Sequence, residues 1–304
     1  MIFEQSRKYM EKIGLPKGDR NDLPTSPKTF ADGAHYRIEC PTVNTAEAMG
    51  ALLDRAQQLG ITINRIDETY GSFRHTKEEL KEYIDLAKKN NVELNLSVGP
   101  RATYDTSATR LSSQGVRISY RLRGMEQFLR AVEDVKRVVD LGCRGILCYD
   151  EGLLWVLNKM RQDGELPSDV SIKLSAHVGH GNPASFQLLE SLGANSINPV
   201  RDLSLDMIAA LREAVDVPLD VHTDNPPASG GFIRVYEAPE LVRVGAPMFL
   251  KTGNSVVGGH GQLTTKNEGI KMAEQASIVV EMVEKYYPEA KQSKEVASDM
   301  HLCK

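Results

Sequence analysis

The chain has 304 residues, of which 41% are hydrophobic and 26% charged, and its net charge is −4. This balance excludes a disordered polymer, and so mild a charge gives no electrostatic footprint for nucleic acid or an anionic membrane surface. No apolar run reaches the roughly 18 residues a membrane span requires, and the opening MIFEQSRKYMEKIG mixes charges instead of building a secretory apolar core. A cytoplasmic location is expected.

Residues 1–14 read as a short amphipathic helix with Ile2, Phe3, Tyr9, Met10 and Ile13 as its apolar positions. Residues 15–34, rich in Pro, Gly, Asp and Ser, read as a loop. This N-terminal extension is expected to close the bottom of the main domain or to pack on its outer helices. From residue 35 a rhythm sets in. Short β-type runs at 35–40, 61–67, 92–98, 144–150, 171–177, 194–198, 217–224 and 247–253 alternate with helical stretches. Thr45 is placed to cap the first of these helices and Gly60 to end it; Thr76 and Glu79 form a capping-box pair at the next. The last long helix falls near 265–286. Eight β/α units in about 250 residues predict an α/β fold, a closed (β/α)8 TIM-type barrel over 35–290, with 291–304 as a C-terminal tail.

In such a barrel the C-terminal strand ends carry the active site. Two long connections lie on that face, 99–124 and 224–237, and long loops in compact domains are usually functional. The first carries Arg101, Arg110, Arg117, Arg121 and Arg123. Guanidinium groups there fit an anionic small-molecule substrate or a subunit contact, that is, a homo-oligomer held through barrel loops.

Strand side chains alternate faces. That parity puts Asp220, His222 and Asp224 on one side of the seventh strand, Lys173, Ser175 and His177 together on the fifth, Arg37 and Glu39 on the first, and Asn95 and Ser97 on the third. An interior this polar must satisfy its own charges or hold a ligand. Three readings follow: a buried ion-pair network with Lys173 and Arg37; a divalent metal (Mn, Zn or Fe) held by Glu39, Asp220 and His222, with Asp67 available to complete the shell; or metal-free acid–base catalysis by His222 or His177.

At the strand ends, Asp150 projects toward the mouth while Glu151 favours the helix dipole. Arg201 could reach a substrate carboxylate. Lys251 is placed for substrate, for a Schiff base, or for an ion pair with Asp220 or Asp224. Asn254 lies in the glycine-rich loop KTGNSVVGGHGQLTT, at the barrel position where phosphates are often held. His177 and His180 flank Gly179 at a spacing that permits a shared metal, although solvation is the commoner fate of His180. The cysteines Cys40, Cys143, Cys148 and Cys303 form no CxxC pair, so no iron–sulfur cluster is expected; a reactive thiol at Cys40 stays open. No dinucleotide or Walker fingerprint occurs, so no nucleotide cofactor is expected.

The segments YDEGLLWVL, GANSINPVRDLSLDMIAALREAVDVPLDV and GGFIRVYEAPELVRVGAPMFLK resemble the barrel domain of peptidase family U32, and more narrowly its short single-domain branch. The resemblance runs from the N-terminal helix to about residue 255. It implies a TIM-type barrel and, by family name, a hydrolase. The collagenase-type and hydroxylase-associated members carry cysteine signatures that this chain lacks. The reading reached is an enzyme acting on a small, polar, anionic molecule by metal-assisted or acid–base lyase, isomerase or hydrolase chemistry. Its catalytic candidates are His222, Asp220, His177, Asp150 and Lys173; its substrate-binding candidates are Arg37, Arg101, Arg123, Arg201, Lys251 and Asn254. A true peptidase and a non-catalytic binding or assembly barrel are the alternatives.

Overall fold

The computed structural model describes residues 4–18, 23–100 and 120–304. Strands β1 (Tyr36–Cys40), β2 (Arg65–Asp67), β3 (Glu93–Ser97), β4 (Gly145–Cys148), β5 (Ser171–Leu174), β6 (Ser196–Ile197), β7 (Leu219–His222) and β8 (Met248–Lys251) pair in parallel and in chain order. β8 closes on β1 through Tyr36 opposite Met248 and Glu39 opposite Lys251. Each strand lies inside its predicted run. Every strand residue is buried, as a parallel sheet covered on its outer face requires.

Helix α1 (Glu4–Lys12) precedes the barrel, and the outer layer is formed by α2 (Ala46–Gln58), α3 (Lys77–Asn90), α4 (Gly124–Asp140), α5 (Glu151–Asp163), α6 (Pro183–Ser191), α7 (Leu205–Ala214), α8 (Ala238–Gly245) and α9 (Lys266–Tyr286). Thr45 caps α2 through the Ala48 amide, and Thr76 with Glu79 closes the expected capping box on α3. Thr265 and Glu268 make a second box on α9. Alternate strand residues such as Ile38, Ile66, Leu94, Leu96, Ile146, Ile172 and Leu250 belong to the apolar cluster shared with the helices. The opposite parity then faces the barrel axis. Gly145 shows how tightly that axis is packed, since a Cβ there would collide with Asn95 Oδ1 and Leu94 O.

The two chain ends behave differently from expectation. α1 buries no residue, and Tyr9 and Ile13 are about half exposed, at 56% and 49%; Ile2 and Phe3 lie outside the described residues. The loop that follows does close the barrel bottom. Phe30 and Ala34 pack on Phe249, and Ser26 donates to the Ala246 carbonyl. The segment 291–304, expected to be a tail, is part of the same floor. Gln292 bridges to Tyr36, the His301 amide donates to Glu93, and the Lys304 amide donates to the Gly142 carbonyl. No helix among the described residues is long and apolar enough to cross a membrane.

Candidate active site

The inward-facing residues sort by depth. At the floor, Arg37 donates to Ser293 and pairs with Asp299 at 2.7 Å, its guanidinium 3.9 Å from the centre of the Phe30 ring. One layer up lies a charged cluster. Lys173 Nζ contacts Glu39 Oε1, lies 3.0 Å from Asp67 Oδ2 and 3.6 Å from Asp220 Oδ2. Lys251 Nζ lies 2.5 Å from the same Glu39 oxygen and 2.7 Å from Asp67 Oδ2. Arg65 joins Glu93 at 3.1 Å, Asp220 at 3.3 Å and Glu39 at 3.5 Å, stacked on Phe249. Ser196 donates to Asp220, and Asn95 to Asp67.

Three cations (Arg65, Lys173, Lys251) thus face four carboxylates (Glu39, Asp67, Asp220, Glu93). One proton balances the cluster. Burial, reinforced by Asp67 and opposed by the two lysines, pushes Glu39 up to about 7, which makes it the group that holds that proton. Burial also works against the charge on Asp67, but Lys173 and Lys251 hold its carboxyl well below the usual range. Burial likewise disfavours the Lys251 ammonium, yet Asp67 and Glu39 outweigh it and keep Lys251 firmly protonated.

Above this layer the barrel opens into a small recess of about 20 Å3. Asp67 and Lys251 form part of its base; His222, Arg201, His177, His260, Asn198 and Asn254 form its walls. Two groups there lack the partners that burial normally demands. His222 is 3% exposed and its Nδ1 has no hydrogen-bond partner. Burial first, then Lys251, Arg201 and Lys173, hold its pKa well below the ordinary value, so the ring is neutral. Arg201 Nε is buried and unpartnered, and among the described residues no carboxylate lies within ion-pair distance of this guanidinium. Burial lowers its pKa. One edge of Arg201 meets His177 Nε2 at 3.4 Å. His177 stacks on Tyr120 at 4.1 Å between ring centres and meets His260 edge-on at 4.4 Å, while Tyr120 Oη and His260 Nδ1 lie 3.0 Å apart.

The structure therefore gathers His222, Lys251, Arg201, His177 and Asn254 around one recess, as the parity and strand-end arguments anticipated. It corrects several other expectations. Arg37 lies at the floor and belongs to neither the recess nor the Lys173 network; Arg65 takes its place in the network, because it stands opposite Glu39 in the β1–β2 register, one layer above Arg37, and from there reaches Asp220 on β7. Lys173, Asp220 and Glu39 are fully buried beneath the recess, saturated by one another. Asp150 caps α5, accepting from the Leu153 and Leu122 amides, so it does not project freely into the mouth. Glu151 is the residue at the rim, paired with Arg121 and with His180 at 2.5 Å. His180 and His177 thus turn to different partners. Arg123 is exposed ahead of α4; Arg101, Arg110 and Arg117 lie outside the described residues.

The metal set read from the sequence does not fit. Glu39 is engaged by two ammonium groups and Asp220 by a guanidinium, and among the described residues no three His, Cys, Asp or Glu are arranged to hold an ion. Nor are all the amides of the glycine-rich loop open to phosphate: Asp224 accepts from Gly253 N at 2.9 Å and Ser255 N at 2.7 Å. Cys40 is fully buried, and burial together with Asp224 pushes its thiol up, so it is not a reactive thiolate. All four cysteines are free and buried. The wall residue His260, and Tyr120 and Tyr149 packed against it and His177, were not reached by sequence reasoning. Only the GGHG run around His260 offered a local signal.

No protein-family model matches the chain, and no curated protein matches it. Among solved structures it is similar to the YdjI aldolase of Escherichia coli K12, with 15% identity, 84% of this chain and 94% of that chain covered, and a TM-score of 0.50. It is also similar to a protein described as a fructose-1,6-biphosphate aldolase from Coccidioides immitis, with 16% identity, 84% and 92% coverage and a TM-score of 0.51. The U32 peptidase Mk0906 matches over 66% of this chain and 73% of that chain, at 18% identity and a TM-score of 0.40, which leaves the family resemblance a resemblance. These likenesses show the closed barrel and nothing finer.

Proposed function

We propose that this chain is an enzyme that moves a proton on a small, polar, anionic substrate held in the mouth recess, in the manner of a lyase or isomerase. One observation carries the reading. The recess brings together a fixed cation, Lys251, a neutral buried histidine, His222, and a guanidinium, Arg201, that among the described residues has no carboxylate partner. Lys251 stays protonated against Asp67 and Glu39, so it serves as an oxyanion stabiliser and not as a Schiff-base nucleophile. His222 is the group able to accept a proton from a substrate carbon or hydroxyl. The Asp67–Lys173–Glu39 layer beneath holds Lys251 in place and keeps it charged.

The barrel fold is shared with many lyases, which is consistent with this class without establishing it. The peptidase reading has less behind it, because the recess is small and closed below by the charged layer. The test is deuterium wash-in from D2O into a panel of small hydroxy acids, oxo acids and sugar phosphates, followed by mass spectrometry. One or more compounds should exchange, and His222→Gln should slow that exchange by about 100-fold or more. Exchange that is unaffected by His222→Gln overturns the assignment of the base, and no exchange across the panel overturns the proton-transfer reading.

A further inference from the structure

The recess is selective in what it leaves unpaired. Arg201 comes from the loop after β6, and no carboxylate among the described residues neutralises it. Its buried Nε lacks an acceptor and one terminal nitrogen leans on His177. A planar guanidinium held this way, with Tyr120 stacked on the supporting imidazole, matches the flat, two-oxygen face of a carboxylate. Phosphate fits the same fork, but the amides of Gly253 and Ser255, which could complete a phosphate cradle in the loop after β8, already hold the Asp224 carboxylate.

The second polar feature lies on the neighbouring staves. His222 and Lys251 are register partners on β7 and β8 and line the same recess as Arg201. With Nδ1 of His222 closed off, its ring meets a ligand only through Nε2. The recess is small, so a group bound by Arg201 has its next polar atom close to His222 and Lys251.

Resting on the proton-transfer reading above, we propose that the substrate class is a short carboxylate carrying an oxo or hydroxyl oxygen on the adjacent carbon, its carboxylate on Arg201 and that oxygen against Lys251 and His222. A consequence follows for the base. Without substrate, His222 faces Lys251 on β8, Lys173 on β5 and Arg201, with Asp67 on β2 as the opposing charge. A bound carboxylate neutralises Arg201 and adds negative charge beside the ring. Substrate binding thereby converts His222 from a poor base into a competent one, so the carboxylate acts in catalysis as well as in anchoring.

The full-length protein can be titrated with pyruvate, propionate, hydroxyacetone and inorganic phosphate by calorimetry. The His222 ring can be followed by 15N NMR, its signals assigned with His222→Gln. Pyruvate should bind at least about tenfold more tightly than propionate or hydroxyacetone and raise the His222 pKa by about one unit. Arg201→Gln should weaken pyruvate at least about tenfold and abolish the histidine shift, while hydroxyacetone binding stays unchanged. Arg201→Lys, with its charge kept and its fork lost, should fall between, and unchanged melting of either variant assigns the loss to the site. Phosphate binding tighter than pyruvate, equal binding of propionate and pyruvate, or an Arg201→Gln variant that binds pyruvate normally overturns the proposal. Pyruvate binding with no deuterium exchange in any acid would keep the substrate class and defeat the proton-transfer reading. Exchange confined to sugar phosphates would do the reverse.

Discussion

Replacing Lys173 with methionine tests whether the layer beneath the recess is held by charge balance. Methionine nearly matches the lysine stem in volume, so packing changes little and the effect is electrostatic. Lys173 is fully buried and contacts Glu39, Asp67 and Asp220. Without it, Arg65 and Lys251 face four carboxylates in a site closed to water. Removing one partner of a buried ion cluster costs about 3–5 kcal/mol. At about 2–4 °C per kcal/mol for a large domain, the melting temperature should fall by roughly 6–20 °C at pH 7. The deficit should shrink at pH 5.5, because the uncompensated carboxyls bind protons more tightly folded than unfolded, and such a group gains stability as pH falls. Lys173→Met combined with Asp67→Asn should recover at least about half of the loss, since Asp67 is the carboxylate that Lys173 holds ionised and the two sites share one interaction. Circular dichroism melts of the single and double variants decide the matter. A Lys173→Met protein melting within about 2 °C of the parent would refute the charge-balance argument.

Further outcomes follow from the same geometry. Glu39 is held up to about 7 in the fold, against 4.5 as its ordinary value, so between those pH values the folded state carries a proton that the unfolded state has released. Stability should therefore fall as pH rises from 4.5 toward 7, by about 1.4 kcal/mol per pH unit at most, and then level off. Urea titrations of Glu39→Gln should lack that slope; an identical slope in both proteins would place the proton elsewhere. Asp150→Ala removes the α5 cap and should cost about 1 kcal/mol, with ligand binding retained; large loss of binding at an unchanged melting temperature would return Asp150 to the site. Borohydride added with a carbonyl substrate should leave Lys251 unmodified by peptide mass mapping, because its ammonium is held protonated by Asp67 and Glu39. A reduced adduct on Lys251 would demand Schiff-base chemistry instead.

The barrel was legible because its signals are local and repeated. Each strand is a short run with apolar residues at alternate positions followed by a helix, several helices carry a side-chain cap, and the alternation of faces follows from backbone geometry alone. Parity therefore placed Asp220, His222, Lys173 and Glu39 on the axis correctly. What parity does not encode is depth and reach. Arg37 and Glu39 share a face, but two residues along a tilted strand separate the floor from the middle layer. Arg37 consequently meets Asp299 and Phe30, while Glu39 meets the lysines. For Arg65, nothing local in the sequence says that its side chain crosses to Asp220 on β7. The 291–304 segment has no strand or helix pattern, and its place in the floor comes from single long-range hydrogen bonds to Tyr36, Glu93 and Gly142.

The same limit explains why the network and catalytic readings competed at the sequence level and are both present in the structure. A lysine–carboxylate array in a barrel interior is costly unless its charges nearly cancel, and Lys173, Arg65, Glu39 and Asp220 meet that condition without any ligand. Lys251 belongs to both levels: its ammonium is neutralised from below by Asp67 and contacts Glu39, yet it still borders the recess. Among the described residues, His222 Nδ1 and Arg201 Nε, one step nearer the mouth, have no such compensation. The boundary between scaffold and site thus falls within the same inward-facing rows of β7 and β8. What marks it is the point at which hydrogen-bond and charge partners run out, and that point becomes visible only when all eight strands are assembled.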